Sequence, residues 1–196
     1  MIYKIVEGKE SYLLPLFEYS EDQGDEDEYY DKEDYLINPR PCSFSGEWGN
    51  LIISFTKDPA LKNRELSVPD ICRVGMGKLF LSEIALKAMK SSDDSVCDYL
   101  ENKELCELLP VTFSGGKGFI FNPLVEVESS DIKDVHGNLS HVIIDEDKLD
   151  PKVLAFKTMT DHYVDIHCTD GLLKAVKNVK ALGVQFANSL GRYGEE

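Results

Sequence analysis

The clearest periodic pattern lies near the C-terminal end of the chain, in residues 166–186, which read IHCTDGLLKAVKNVKALGVQF. Apolar residues recur there at the spacing of one helix face, namely Leu172, Leu173, Val176 and Val179. Thr169 is a favoured N-cap, because its hydroxyl can accept a hydrogen bond from an amide of the first helical turn. Asp170 follows at the positive end of the helix dipole, and Gly183 suits a C-cap with positive φ. The stretch therefore predicts a strand, a capped helix and a short closing strand.

The same pattern occurs a second time, in residues 79–90, which read LFLSEIALKAMK. Ser82 takes the place of Thr169, and Glu83 takes the place of Asp170. We interpret the two stretches as two strand–cap–helix units of one fold.

Shorter apolar runs predict the other elements. Strands are expected at residues 2–6, 51–55, 111–113, 119–121, 124–127, 141–144, 153–157 and 163–168. Residues 94–109 predict a helix that Pro110 ends, and the glycine-rich residues 114–118 predict a five-residue hairpin loop. Together these elements predict a single α+β domain over residues 1–196. We expect it to contain a mixed or mostly antiparallel sheet, two or three helices and the two strand–cap–helix units.

Residues 18–35 are the most acidic part of the chain, with ten carboxylates against one lysine, Lys32. Like charges at this density repel one another, so we expect an acidic loop or a partly disordered segment. One interpretation is a solvated segment without a specific role. The other is a docking strip for a basic partner, because carboxylates steer basic proteins and tyrosines anchor interfaces. The residues of that strip are Asp25, Glu26, Asp27, Glu28, Tyr29 and Tyr30.

Trp48 is the only tryptophan and lies between Gly46 and Gly49, which predicts a turn. Its indole ring fits two environments, a lid over the apolar core or an exposed anchor for a partner. We include it among the candidate partner-binding residues.

The net charge of −15 argues against nucleic acid or an anionic membrane as a ligand, since both are recognised by clustered lysine and arginine. No apolar run approaches the roughly 20 residues that span a bilayer, and we find no secretion signal. The five cysteines are odd in number and form no CxxC pair, which favours reduced thiols in the cytoplasm. The charge favours a basic protein partner, or simply keeps the protein soluble.

Motifs for catalysis, metal binding or cofactor binding are not recognisable in the sequence. Lys117 is followed by Gly118 rather than by serine or threonine, so the glycine cluster does not match a phosphate-binding loop. The acidic run does not have the spacing of a calcium-binding loop. We therefore predict no catalytic residue, no metal and no cofactor, and we expect each of the four histidines to have a structural or surface role.

Several C-terminal motifs resemble bacterial polymorphic-toxin immunity proteins of the "immunity MXAN" type. These motifs are a strand with Phe156, a strand over residues 164–167, the helix that starts at Thr169, and the closing LGVQF of residues 182–186. The PDI and LFLSE runs within residues 69–86 and the LLPV of residues 108–111 also resemble that family. The resemblance covers roughly residues 68–187. It implies a small cytoplasmic protein that binds and blocks a cognate toxin and has no catalytic residues.

Three functions are therefore in question. The first is an immunity protein that inhibits a cognate, basic toxin domain by binding. The second is an enzyme with a dispersed acidic site, with or without a metal ion. The third is a general protein-interaction module. An enzyme should have a deep pocket lined by carboxylates with shifted pKa values, whereas an inhibitor that acts by binding should not. The sequence does not determine the oligomeric state.

Overall fold

The computed structural model describes residues 1–8, 13–17, 26–46, 48–49, 51–57, 66–133 and 139–188 of the 196. For residues 26–29, 140, 141 and 188 it describes the backbone alone. The helices are α1 Glu26–Ile37, α2 Glu83–Lys90, α3 Asp94–Glu101 and α4 Asp170–Asn178. The first seven strands are β1 Ile2–Glu7, β2 Leu14–Phe17, β3 Leu51–Thr56, β4 Ile71–Arg73, β5 Leu79–Ser82, β6 Cys106–Phe113 and β7 Gly116–Pro123. The remaining strands are β8 Ser129–Lys133, β9 Leu139–Ile144, β10 Ala155–Phe156, β11 Ile166–Thr169 and β12 Val184–Asn188, and a 3-10 turn spans Glu146–Lys148.

The strands form three sheets. A six-stranded sheet has the order β2-β3-β6-β7-β5-β4, and its pairs are antiparallel except for the parallel pair β3–β6. A four-stranded antiparallel sheet has the order β10-β11-β1-β12, and β8 and β9 form a separate hairpin. The predicted α+β class with mixed, mostly antiparallel sheets is confirmed. None of the described helices is long and apolar enough to cross a membrane.

The largest apolar core joins the two larger sheets through α2, α3 and α4. The predicted stripe of α4 is buried at Leu172, Leu173 and Val176 and partly buried at Val179. Helix α2 buries Ala85, Leu86 and Met89 in the same core as Leu172 and Val176. The two predicted strand–cap–helix units are therefore β5–α2 in the six-stranded sheet and β11–α4 in the four-stranded sheet.

Two details of the C-terminal unit differ from the prediction. Thr169 occupies the N-cap position, but its hydroxyl is buried and accepts no cap hydrogen bond from a described residue. The helix ends at Asn178, and the residue with left-handed backbone beyond its cap is Lys180, with φ 52°. Gly183 does have a positive φ of 111°, but it lies beyond the helix end and serves a close backbone contact instead.

The second apolar core lies on the other face of the six-stranded sheet, under α1. The prediction of an acidic loop is wrong for residues 26–35, which are helical, whereas residues 18–25 lie outside the described residues. The helix buries Lys32, Tyr35 and Leu36, which are three and four positions apart and so face the sheet together. Tertiary packing of this face offsets the repulsion among the helix's six carboxylates.

The segment between α2 and β7 also differs from the prediction. The helix predicted over residues 94–109 ends at Glu101. Residues 106–109 belong instead to the long hairpin strand β6, which Leu105 directly precedes. The hairpin from β6 to β7 turns over Ser114 and Gly115 alone, not over five residues, because Gly116, Lys117 and Gly118 pair with β6.

Candidate functional site

The structure places the predicted docking strip at the start of α1. Asp25 lies outside the described residues, and only the helical backbone is described for Glu26, Asp27, Glu28 and Tyr29. Tyr30 is exposed, with 53% of its surface accessible. From Tyr30 to Ile37 the helix has a defined outward side, which a loop would lack.

We define the outer face of α1 as the exposed residues of its last two turns, Tyr30, Asp31, Glu33, Asp34 and Ile37. Tyr30, Asp34 and Ile37 are four and three positions apart, so they lie along one line of the helix surface. Asp31 and Glu33 flank that line. The face combines three carboxylates with two large apolar side chains on the side opposite the sheet.

Trp48 is not part of this exposed surface. Its exposed fraction is 8%, and its ring packs edge-on against Tyr35 and Phe44 with centroids 5.9 Å and 5.2 Å away. Its indole Nε1 donates a hydrogen bond of 2.7 Å to the carbonyl of Pro110. The core interpretation of Trp48 is therefore the correct one, and the ring helps to fix α1 on the sheet.

Two buried lysines lie beneath the chain segment that follows α1. Lys78 Nζ donates to the carbonyl of Asn38 at 2.5 Å and lies 4.4 Å from the ring centroid of Tyr35. Lys157 Nζ donates to the carbonyl of Pro39 at 2.9 Å and to Asn122 Oδ1 at 2.7 Å. These bonds satisfy carbonyls of a proline-rich segment that does not pair as a strand, and so they fix the end of α1.

The same burial perturbs both amines. Burial lowers the pKa of Lys78 to about 8. Burial, and then the neighbouring charge of Lys78, lower the pKa of Lys157 to about 7. Both amines therefore bear a proton less readily than an exposed lysine.

Sequence reasoning missed this lysine pair. The available signal was that each lysine adjoins an apolar strand, in KLFL and LAFK, where an exposed lysine is unexpected.

A buried carboxylate–imidazole pair lies at the four-stranded sheet. Asp161 Oδ2 is 2.7 Å from His167 Nε2, and both side chains are almost inaccessible to solvent. Asp161 Oδ1 also accepts a hydrogen bond from the amide of Tyr163 in a turn where His162 and Tyr163 both have left-handed φ. The pair therefore holds a strained turn in place, and His162 lies in that turn.

An open groove of about 740 Å³ lies between the β8–β9 hairpin and the body of the domain. Its lining combines apolar side chains such as Val125 and Val153 with the carboxylates of Glu126, Glu128 and Asp150.

Within the described part of the chain, no three His, Cys, Asp or Glu side chains come together as metal ligands. His136 lies outside the described residues, and only the backbone of His141 is described.

Comparison with known proteins supplies no assignment. No family model matches the chain, and no curated protein sequence matches it.

Proposed function

We propose that the protein is an immunity protein that acts in the cytoplasm, where it binds a cognate bacterial toxin domain and blocks it without catalysis. The observation that carries the proposal is the outer face of α1, on which Asp31, Glu33 and Asp34 lie beside the exposed Tyr30. The resemblance of residues 68–187 to toxin-immunity proteins supplies the class of partner.

Charge supports a basic toxin as the partner. The net charge of −15 attracts a basic protein from a distance, and exposed carboxylates on one face orient it during the encounter. A toxin that acts on nucleic acid has a basic cleft, because it must neutralise phosphates. A helix that covers such a cleft would exclude the toxin's substrate.

The attachment of α1 supports a role in tight binding. Tyr35 and Leu36 bury the inner face of the helix, and Lys78 and Lys157 hold the segment after it. The outer face is therefore presented on a fixed backbone, which lowers the conformational entropy lost when a partner binds. A general interaction module remains the second candidate, because this face would attract any basic protein.

The test uses the C-terminal domain of whatever protein the gene immediately upstream encodes, since that protein is the toxin candidate under this proposal. Co-expression of the full-length chain should restore the growth of bacterial cells that produce this domain. Surface plasmon resonance should detect binding of the purified proteins. Binding without growth protection would favour the general module, and neither binding nor protection would refute the proposal.

Charge variants locate the binding surface. Replacing Asp31, Glu33 and Asp34 by Asn, Gln and Asn should slow association roughly threefold to tenfold at low salt. The effect should shrink at about 0.15 M ionic strength, where charges are screened over about 8 Å. The matched control removes three exposed carboxylates from another surface, through Asp94→Asn, Asp98→Asn and Glu104→Gln. An equal loss of rate in the control would assign the effect to net charge and not to α1.

A further inference from the structure

The loop between β4 and β5 presents Met76 between two glycines that have no room for a side chain. Gly75 and Gly77 both have φ of 62°. A Cβ on Gly75 would lie 2.1 Å from the carbonyl oxygen of Leu36, and one on Gly77 would lie 2.4 Å from that of Tyr163. The loop is therefore packed tightly between the end of α1 and the turn before β11.

The backbone of Met76 is fixed, whereas its side chain is open to solvent. Its amide donates to the carbonyl of Leu36 at 3.0 Å, and Lys78 Nζ lies 3.5 Å from its carbonyl oxygen. The side chain nevertheless keeps 47% of its surface exposed. Ile37, the residue after Leu36 and the last of α1, is exposed at 54%. Two large apolar side chains thus project from neighbouring, rigid pieces of backbone at one end of the acidic outer face.

We infer that Ile37 and Met76 form a preorganised apolar anchor for the basic protein that the outer face of α1 attracts. This inference rests on the proposed function and names the second half of the same interface. Fully desolvated apolar contacts supply most of the affinity at an interface, whereas exposed charges at its rim mainly raise the association rate. The anchor therefore requires an apolar pocket on the partner beside its basic surface.

The two halves of this interface differ in kinetics. Loss of the carboxylates slows association, and the size of this effect depends on the salt concentration. Loss of Ile37 or Met76 speeds dissociation, because the anchor is desolvated in the complex, and this change is nearly independent of salt. Fold stability changes little, because both side chains are already half exposed in the free protein.

The experiment measures binding of the full-length chain to the same upstream toxin domain by surface plasmon resonance. We expect Met76→Ala and Ile37→Ala each to weaken binding roughly tenfold, through faster dissociation, with unchanged melting temperatures. Met76→Gln should weaken it similarly, since it keeps the length of the side chain but not its apolar character.

Matched controls remove side chains of the same types that are more exposed than the two anchor residues. Met159 is 68% exposed in the turn before β11, and Ile84 is 78% exposed on α2. Met159→Ala and Ile84→Ala should change the dissociation rate less than twofold. Dissociation rates unchanged by the Ile37 and Met76 variants, or raised equally by the controls, would overturn the anchor while leaving the immunity function intact. A wild-type chain that does not bind the toxin domain would overturn both proposals.

Discussion

The units β5–α2 and β11–α4 have nearly the same sequence pattern but begin their helices differently. Ser82 and Thr169 both occupy N-cap positions with extended backbone. Ser82 Oγ accepts a hydrogen bond of 3.1 Å from the amide of Ala85 and donates one of 3.3 Å to Asp70 Oδ1. Thr169 Oγ1 is buried and has neither kind of bond to a described residue. A shared pattern therefore fixes where the helix starts but does not fix how its first amides are satisfied.

The difference arises from what surrounds each cap. Asp70 lies beside Ser82 and also accepts a hydrogen bond of 3.1 Å from the amide of Leu182, in the segment that follows the second unit. The cap of the first unit is thus tied to the end of the second. No equivalent acceptor is described beside Thr169, whose helix relies on burial of its apolar stripe.

The largest expected effect breaks the link between the two units. A Cβ on Gly183 would lie 2.1 Å from the carbonyl oxygen of Ile71, in the strand that pairs with β5. We expect Gly183→Ala to lower the free energy of unfolding by roughly 3 kcal/mol or more, measured by urea denaturation. The control is Gly116→Ala, where φ is 131° but a Cβ meets nothing within 4 Å. It should cost about 1–2 kcal/mol, and equal costs would contradict the role of crowding at Gly183.

A second, intermediate effect concerns the lysines at the two units, since Lys78 precedes β5 and Lys157 follows the strand paired with β11. Their pKa values are lowered in the folded state, so between about pH 7 and their unfolded pKa of about 10.5 the unfolded chain binds more protons. The free energy of unfolding should therefore rise from pH 7 to 9, by about 1 kcal/mol per pH unit. Above pH 9 the trend should reverse, because burial raises the pKa of the thiols of Cys72, Cys106 and Cys168.

Urea denaturation at several pH values measures this slope. The double variant Lys78→Met and Lys157→Met should lose the rise, whereas Lys87→Met, at an exposed lysine of α2, should keep it. A rise that persists in the double variant would assign the pH dependence to other groups.

The smallest effect sharpens the comparison of the caps. Ser82→Ala should lower the free energy of unfolding by about 1 kcal/mol, through loss of the cap hydrogen bond. Thr169→Val should change it by less than about 0.5 kcal/mol or raise it slightly, because the hydroxyl it removes is buried without a described partner. Thermal melting of the two variants side by side gives the contrast, and a loss at Thr169 equal to that at Ser82 would show that both caps work alike.

Local pattern predicted the parts of the fold that local interactions determine. The stripe of α4 and the repeated unit at β5–α2 follow from apolar spacing, and the structure has both. The helix α1 could not be predicted in this way, because charge repulsion among neighbours favours a loop. Its inner face at Tyr35 and Leu36 becomes favourable only when a sheet from distant parts of the chain covers it.

The candidate site could likewise be predicted only in part, because contacts between distant parts of the chain determine the rest of it. Tyr30 lies on the exposed surface as expected, whereas the choice between core and surface for Trp48 depended on Phe44 and Tyr35 packing against its ring. Ile37 was not grouped with Tyr30, because a predicted loop has no faces. Met76 lies next to the end of α1 because its amide donates a hydrogen bond to the carbonyl of Leu36, 40 residues earlier in the sequence. No periodic pattern predicts such a contact.

The edge strand β2 has a consequence for the behaviour of the protein at high concentration. It pairs with β3 on one side, and Leu14 and Leu16 remain exposed on it. Such an edge would ordinarily recruit a strand from a second molecule, but Pro15 in its middle has no amide hydrogen to donate. An added strand would lose a rung of its ladder within a four-residue span. We therefore expect the proline to disfavour edge-to-edge stacking at this strand, even though two of its leucines are exposed.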